Sequence, residues 1–308
     1  MSASHAITVT CDDPEIRDWI AGWLAGMQLE PPVSLSLAIR VIDGELLPDD
    51  DSRRPFEQPL VEIRSGPPQQ DVRIRWKSGP ARATIPKGAH HADVLLGRSV
   101  LGQRERLEQT FFTAVLVFLL RRAGWQHVHA AIARDPRGRE WLFAGNAQAG
   151  KSTTAALLAK KGWAVGSDDL TFLARNGGGV EAIAQRAPIA LRTGGYELLG
   201  VSGGRDARGG LKRAFFPEEL GGSWAGRVRP SIIALPRVQG GATRVEPVKP
   251  REALAELVRW SAWVALEPDL AQEHLDLLTS LARQAPCYRL LLGPDLFEDR
   301  DLLMELVT

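Results

Sequence analysis

Gly145, Gly150, Lys151 and Ser152 stand in the order G-x-x-x-x-G-K-S, across Gly145-Asn146-Ala147-Gln148-Ala149-Gly150-Lys151-Ser152. This spacing is that of a phosphate-binding loop. Such a loop works when a strand leads into it and a helix leads out. Trp141-Leu142-Phe143-Ala144 reads as a buried strand, and the run from Thr153 through Lys161 suits a helix. Successive backbone N–H groups then point into one concavity, where they and the helix dipole favour polyphosphate. Gly145 to Thr153 are the candidate cradle; Lys151 would reach the terminal phosphates and the Ser152 hydroxyl would hold Mg²⁺.

Asp168-Asp169 closes the next short apolar run, Trp163-Ala164-Val165-Gly166-Ser167. Neighbouring residues in extended chain point to opposite sides, so the two carboxylates cannot share a task. One can face the metal and the other an acceptor hydroxyl. Phosphoryl transfer needs a cradle, a metal holder and a residue that orients the nucleophile. An acidic turn at a strand end is common; the loop one helix earlier gives this one its reading.

Val128 to Ala133 reads as a strand, and His127 and His129, two residues apart on such a strand, would share a face, where one could tune a carboxylate near the terminal phosphate. His90-His91 has no third ligand at metal-binding spacing. Of the basic residues Arg205, Arg208, Lys212 and Arg213, which lie in or beside a Gly- and Arg-rich predicted loop, Arg213 is the candidate to stabilise charge on the transferring group. No Asn-Lys-x-Asp follows the loop, and the His-Arg-Asp and Asp-Phe-Gly signatures of protein kinases are absent.

These residues need a scaffold. Before Gly124 the chain reads as its own unit: strands near 7–10, 33–42, 60–64 and 72–76, a helix from Pro14 to Leu24, and a long helix from about Arg104 to Arg122. From Gln126 a strand, the turn at Asp135-Pro-Arg-Gly138 and a returning strand deliver the chain to the loop. Asn176-Gly-Gly-Gly179 marks a hairpin. Further strands at 231–235 and 288–292 and helices near 250–264, 268–285 and after Pro294 complete the second portion.

With 308 residues, 44% of them hydrophobic and 24% charged, the chain is long enough for one large core or two modest ones. A net charge of +1 argues against a general nucleic-acid surface. The apolar run Phe111 to Leu120 is too short to span a bilayer. The amino-terminal residues lack a signal-peptide pattern. Cys11 and Cys287 form no metal-ligand spacing, and reduced thiols in a cytoplasmic protein are the expectation.

Val128-His129-Ala130, the loop through Lys151-Ser152-Thr153, and Gly162-Trp-Ala-Val-Gly-Ser-Asp168-Asp169 together resemble the catalytic domain of HPr serine kinase/phosphorylase. They are similar above all to the HPr-kinase-related proteins that include those accompanying lasso-peptide biosynthesis. The resemblance covers about residues 126–175. It implies an α/β fold: a phosphoenolpyruvate-carboxykinase-like P-loop nucleotide domain, with a mixed sheet flanked by helices, over 125–308. An N-terminal α+β unit over 1–124 would precede it, for acceptor recognition or as structure.

The resemblance further implies ATP and Mg²⁺, Asp168 as the base beside His129, and Asp169 with Ser152 on the metal. The expected partner is a peptide or protein with an acceptor serine, with no nucleic acid and no membrane; homo-oligomerisation stays open. Two other readings stand beside it: a nucleotide-binding regulatory or assembly ATPase, and a kinase for a small molecule such as free serine or a sugar. Thr153 occupies the position where the bifunctional enzymes carry Glu. Their glycine-rich signature has no convincing counterpart in Gly200–Gly210. Both departures point away from HPr as the acceptor.

Overall fold

The computed structural model describes residues 7–26, 34–46, 51–66, 71–146, 149–167, 169–207, 210–261 and 263–298, with 302 and 305. Ala147, Gln148, Asp168 and Arg208 lie outside the described residues. The chain forms two compact units: residues 1–126 with 263–272, and 127–262 with 273–308. The division falls just after the sequence boundary near Gly124, and the first unit also takes in a segment from far along the chain.

In the first unit, a seven-stranded sheet has the order β1 (Ile7–Cys11), β2 (Leu35–Ile42), β7 (His91–Gly97), β6 (Ala81–Ile85), β5 (Val72–Trp76), β4 (Val61–Arg64), β3 (Phe56–Glu57). β1, β2 and β7 run parallel and the remainder antiparallel. Alternation decides which face is buried. Leu35, Leu37 and Ile39, then Val72, Ile74 and Trp76, point inward while their neighbours are wetter.

α1 (Pro14–Ala25) begins where Asp13 accepts from the backbone N–H of Glu15 and Ile16, with Pro14 in its first turn. It buries Ile16, Ile20 and Leu24, spaced one turn apart. The expected long helix is α2 (Arg104–Leu107), a π segment (Glu108–Phe112) and α3 (Thr113–Arg122). Nearly all of α3 is buried, Arg121 included. Such a charge is tolerable only with partners. Arg121 donates to Gln126 Oε1 at 3.2 Å and to the Trp263 carbonyl. The Trp263 ring packs on Phe56 and Phe118, which explains why residues 263–272 join this unit.

The second unit holds three sheets among the described residues. The largest has the order β17 (Ser223–Trp224), β11 (Ala164–Val165), β9 (Ala130–Arg134), β10 (Glu140–Ala144), β19 (Ile232–Val238), β21 (Cys287–Leu292), β20 (Arg244–Val248). It is mixed: β10 runs parallel to β19 and antiparallel to β9. β10 is central, with Trp141 to Ala144 buried, as its unbroken apolar run requires. α4 (Lys151–Lys160) buries Ala155 to Ala159 in a core with Trp141, Phe143, Trp163 and Phe215.

The second sheet is β18 (Arg227–Val228), β13 (Gly179–Ala184), β12 (Thr171–Asn176), β8 (Gln126–Val128). The third is β14 (Ile189–Leu191), β16 (Lys212–Phe215), β15 (Arg205–Ala207). α5 (Thr193–Leu198), α6 (Pro250–Arg259) and α7 (Pro268–Gln284) complete the unit's helices, α7 starting within 263–272.

Three expectations are corrected. The strand predicted over 128–133 breaks at His129, so His127 and His129 belong to no common strand face. The strand after α4 stops at Val165 and does not reach Asp169; Gly166 follows it where a Cβ would lie 2.5 Å from Ile132 Cγ1 and 2.6 Å from the Ala225 carbonyl, so only glycine fits there. The predicted loop at 200–213 contains β15 and the start of β16, paired antiparallel. Both cysteines are free. No described helix is long and apolar enough to cross a membrane.

Candidate phosphate-loop site

The loop joins β10 to α4 as the motif requires. Gly150 sits at the helix N-cap with φ +93°, in the left-handed region that costs a residue bearing Cβ. Space is short as well: a Cβ there would lie 2.8 Å from Val238 Cγ2. The Gly150 carbonyl accepts from Thr154 N at 2.8 Å, which starts α4.

Lys151 is only 4% exposed. Its Nζ donates to the carbonyls of Gly145 and Asn146, each at 2.9 Å. The ammonium therefore ties the start of α4 back to the residues that follow β10. Ser152 Oγ, in the first turn, makes no hydrogen bond among the described residues. Thr153 lies against α5: a Cβ on Gly195 would stand 3.3 Å from Thr153 Oγ1.

A second arm approaches from β9 and the chain leaving β11. His129 Nε2 lies 2.8 Å from Asp169 Oδ1. His129 is fixed by its backbone, whose N–H donates to the Trp260 carbonyl at 2.9 Å. The bend carrying Asp169 is fixed by Ser167, whose buried Oγ accepts from the N–H of Asp169 and Leu170 at 3.3 and 2.9 Å. Crowding by neighbouring atoms pushes the Asp169 carboxyl up. The His129 hydrogen bond, with the charges of His129, Lys151 and Lys212, overcomes this and holds it at about 2. The side chain is nevertheless half-exposed, at 51%, so it borders solvent rather than a closed interior. An ionised carboxylate can only accept, so His129 Nε2 carries the shared proton.

Of the candidate residues, Gly145, Asn146, Ala149, Gly150, Lys151, Ser152 and Thr153 lie between the end of β10 and the first turn of α4, and Asp169 feels the charge of Lys151. His127 stands apart, edge-on to Phe172 at 5.7 Å between ring centroids. Arg213 lies over the Tyr196 ring at 5.3 Å and donates to the Gly203 carbonyl at 2.9 Å. The cation of β16 that bears on Asp169 is its neighbour Lys212. The two residues are adjacent on one strand and so face opposite ways. The basic run signalled a cation here but not which one. No group of three His, Cys, Asp or Glu side chains gathers as a metal site among the described residues.

The donor set suits a hard cation shared with phosphate. Such ions take one or two protein oxygens and complete their shell with phosphate and water. Ser152 Oγ and the Asp169 carboxylate, whose Oδ2 accepts no hydrogen bond among the described residues, are oxygens of this kind. No protein-family model matches the chain, and no curated protein matches it.

Proposed function

We propose that this chain is an ATP-dependent kinase, similar to HPr kinase, that transfers a γ-phosphoryl group to the serine hydroxyl of a peptide or protein. The observation carrying this reading is the approach of the Lys151-closed loop to an ionised carboxylate bonded to His129. Beyond the loop that holds a nucleotide, phosphoryl transfer needs groups that hold the metal and orient the nucleophile, and this arm supplies candidates for them.

In this reading the backbone N–H groups of the loop and Lys151 hold the phosphates of the donor. Ser152 and Asp169 hold Mg²⁺, which neutralises charge on the phosphates when bound. His129, oriented by Asp169, keeps its Nε2 proton in the hydrogen bond to that carboxylate. Asp168 takes the proton of the acceptor hydroxyl as its oxygen forms a bond to the γ-phosphorus. The bond from that phosphorus to the bridging oxygen breaks, and ADP leaves with its electron pair. Lys212 adds positive charge where negative charge is redistributed.

The test is to incubate the protein with γ-labelled ATP, Mg²⁺ and a panel of serine peptides and proteins, including peptides encoded beside its gene, and to follow the label by mass spectrometry. Label in an acceptor serine is expected. Asp168→Asn should lower transfer by about 10²–10⁴-fold while sparing nucleotide binding. Label appearing only as free phosphate would establish an ATPase instead.

A further inference from the structure

A cavity of about 320 Å³ opens beside the phosphate loop in the second unit, and Gly145, Asn146 and Ala149 form one of its walls. The opposite walls come from the carboxyl end of β19 at Leu235 to Val238, from Glu256 and Trp260 at the end of α6, and from Arg289 of β21. β10 and β19 are parallel, so the cavity lies outside the carboxyl ends of two parallel strands. In open α/β sheets this is where ligands settle.

The volume is near the lower limit for small-molecule sites, which suits part of a ligand whose remainder is held elsewhere. The lining has one aromatic plate and three charged groups of defined use. The Trp260 indole is half-buried, and its N–H has no acceptor among the described residues. Arg237 is exposed and has no ion-pair partner among them. Arg289 has only a loose pairing with Glu246, at 3.7 Å. Glu256 accepts from Arg259 at 3.2 Å and retains acceptor capacity, since a carboxylate has about four lone-pair sites.

An indole plate, a carboxylate and guanidinium donors around apolar walls match a heterocyclic base with a ribose. Aromatic rings stack on a base face, and a carboxylate accepts from an exocyclic amino group. Guanidinium groups donate to ribose hydroxyls or ring nitrogens. Because the loop itself lines the cavity, one molecule can place phosphates in the cradle and its base here.

We propose that this cavity seats the amino-bearing purine and ribose of the donor nucleotide, with Trp260 as the stacking plate and Glu256 as the acceptor for the purine amino group. The assignment rests on reading the loop as a phosphate cradle. It adds what the loop alone does not specify, a base-selective end to the site.

The test is calorimetric titration of the full chain with Mg-ATP, Mg-ITP and Mg-tripolyphosphate, the last being the phosphate chain without a base. Wild type should bind ATP more tightly than ITP, whose carbonyl replaces the amino group, and more tightly than tripolyphosphate. Trp260→Ala should weaken ATP by about ten-fold or more and leave tripolyphosphate unchanged. Glu256→Gln, on the partly exposed end of α6, removes the charge without removing bulk and should erase most of the ATP over ITP preference. Thermal melting confirms that each variant is folded.

ATP affinity unchanged in both variants would overturn the base seat and leave the loop reading standing. So would parallel weakening of ATP and tripolyphosphate, or loss of affinity for a serine peptide in place of ATP. Failure of wild type to bind either ATP or tripolyphosphate would overturn the loop reading, and the base seat with it.

Discussion

His129 and Asp169, 40 residues apart in sequence, meet at 2.8 Å from Nε2 to Oδ1. The carboxyl is held at about 2, so the proton between them belongs to the histidine across the physiological range. Asp169→Asn should therefore change which ring nitrogen of His129 carries hydrogen, a change read by ¹⁵N chemical shifts, and lower transfer by about 10–100-fold. The pH dependence follows from the sign of the shift. A carboxyl depressed below its unfolded value contributes fully above about pH 4 and is lost as pH falls toward 2. Asp169 should add no inflection to a pH–rate profile between about pH 5 and 8. An acid limb in that window that disappears in Asp169→Asn would contradict this.

Lys151 spends its hydrogen bonds on the carbonyls of Gly145 and Asn146. Lys151→Ala should leave those carbonyls repelling phosphate oxygens and remove the charge that would meet them. Affinity for both ATP and tripolyphosphate should fall by about ten- to a hundred-fold, the value of a charge-assisted hydrogen bond. Calorimetry separates this from the base-seat variants, which should affect ATP alone.

Gly150 and Gly138 provide an internal comparison. Both have positive φ, at +93° and +82°, but a Cβ on Gly138 would meet nothing within 4 Å. Gly138→Ala should cost the backbone penalty alone, about 1 kcal/mol in denaturant unfolding. Gly150→Ala adds the clash with Val238 Cγ2 and should cost more and also lose phosphate binding. Equal effects would mean that β19 yields easily at Val238.

The strand, glycine-rich connection and helix over 141–160 were visible in the sequence because their signals are local: an apolar run, one glycine at positive φ and a run of good helix formers. Four strands of the first unit's sheet, β1, β2, β4 and β5, were visible for a similar reason, since alternating side chains report a half-buried strand, whereas β3, β6 and β7 were not expected. What escaped was set by distant contacts. The hairpin at 205–215 reads as a loop from its Gly and Arg content, yet Arg205 lies over Phe216 and Arg213 over Tyr196. Aromatic partners elsewhere turn these arginines into packing groups. The break at His129 follows from the Trp260 carbonyl, far along the chain, accepting its backbone N–H. Arg237, Glu256, Trp260 and Arg289 carry no motif; the pairing of β19 with β21 brings two of their strands side by side.

Asp51 and Arg53 make the first unit's stability sensitive to acid. Their side chains are 0% and 4% exposed and meet through Arg53 Nη2 and Asp51 Oδ2 at 2.5 Å, with a second bond from Nε to Oδ1 at 2.9 Å. The guanidinium also donates to the Gly66 and Asp71 carbonyls at 3.0 and 2.7 Å, so the pair fastens three stretches of chain. The Arg53 hydrogen bonds are the main cause holding the Asp51 carboxyl at about 2, against the upward push of burial. Its contribution is complete above about pH 4 and is lost as pH falls through about 2. Asp51→Asn should weaken acid sensitivity in that window while lowering neutral-pH stability. Arg53→Met, which removes the hydrogen-bonded cation and leaves the buried carboxylate the longer contact with Arg73 at 3.7 Å, should cost more, about 3 kcal/mol. Denaturant unfolding followed at neutral pH and at pH 3 checks both. If Arg53→Met unfolds at the wild-type denaturant concentration, the pair contributes nothing and the unit is held by its apolar sheet face alone.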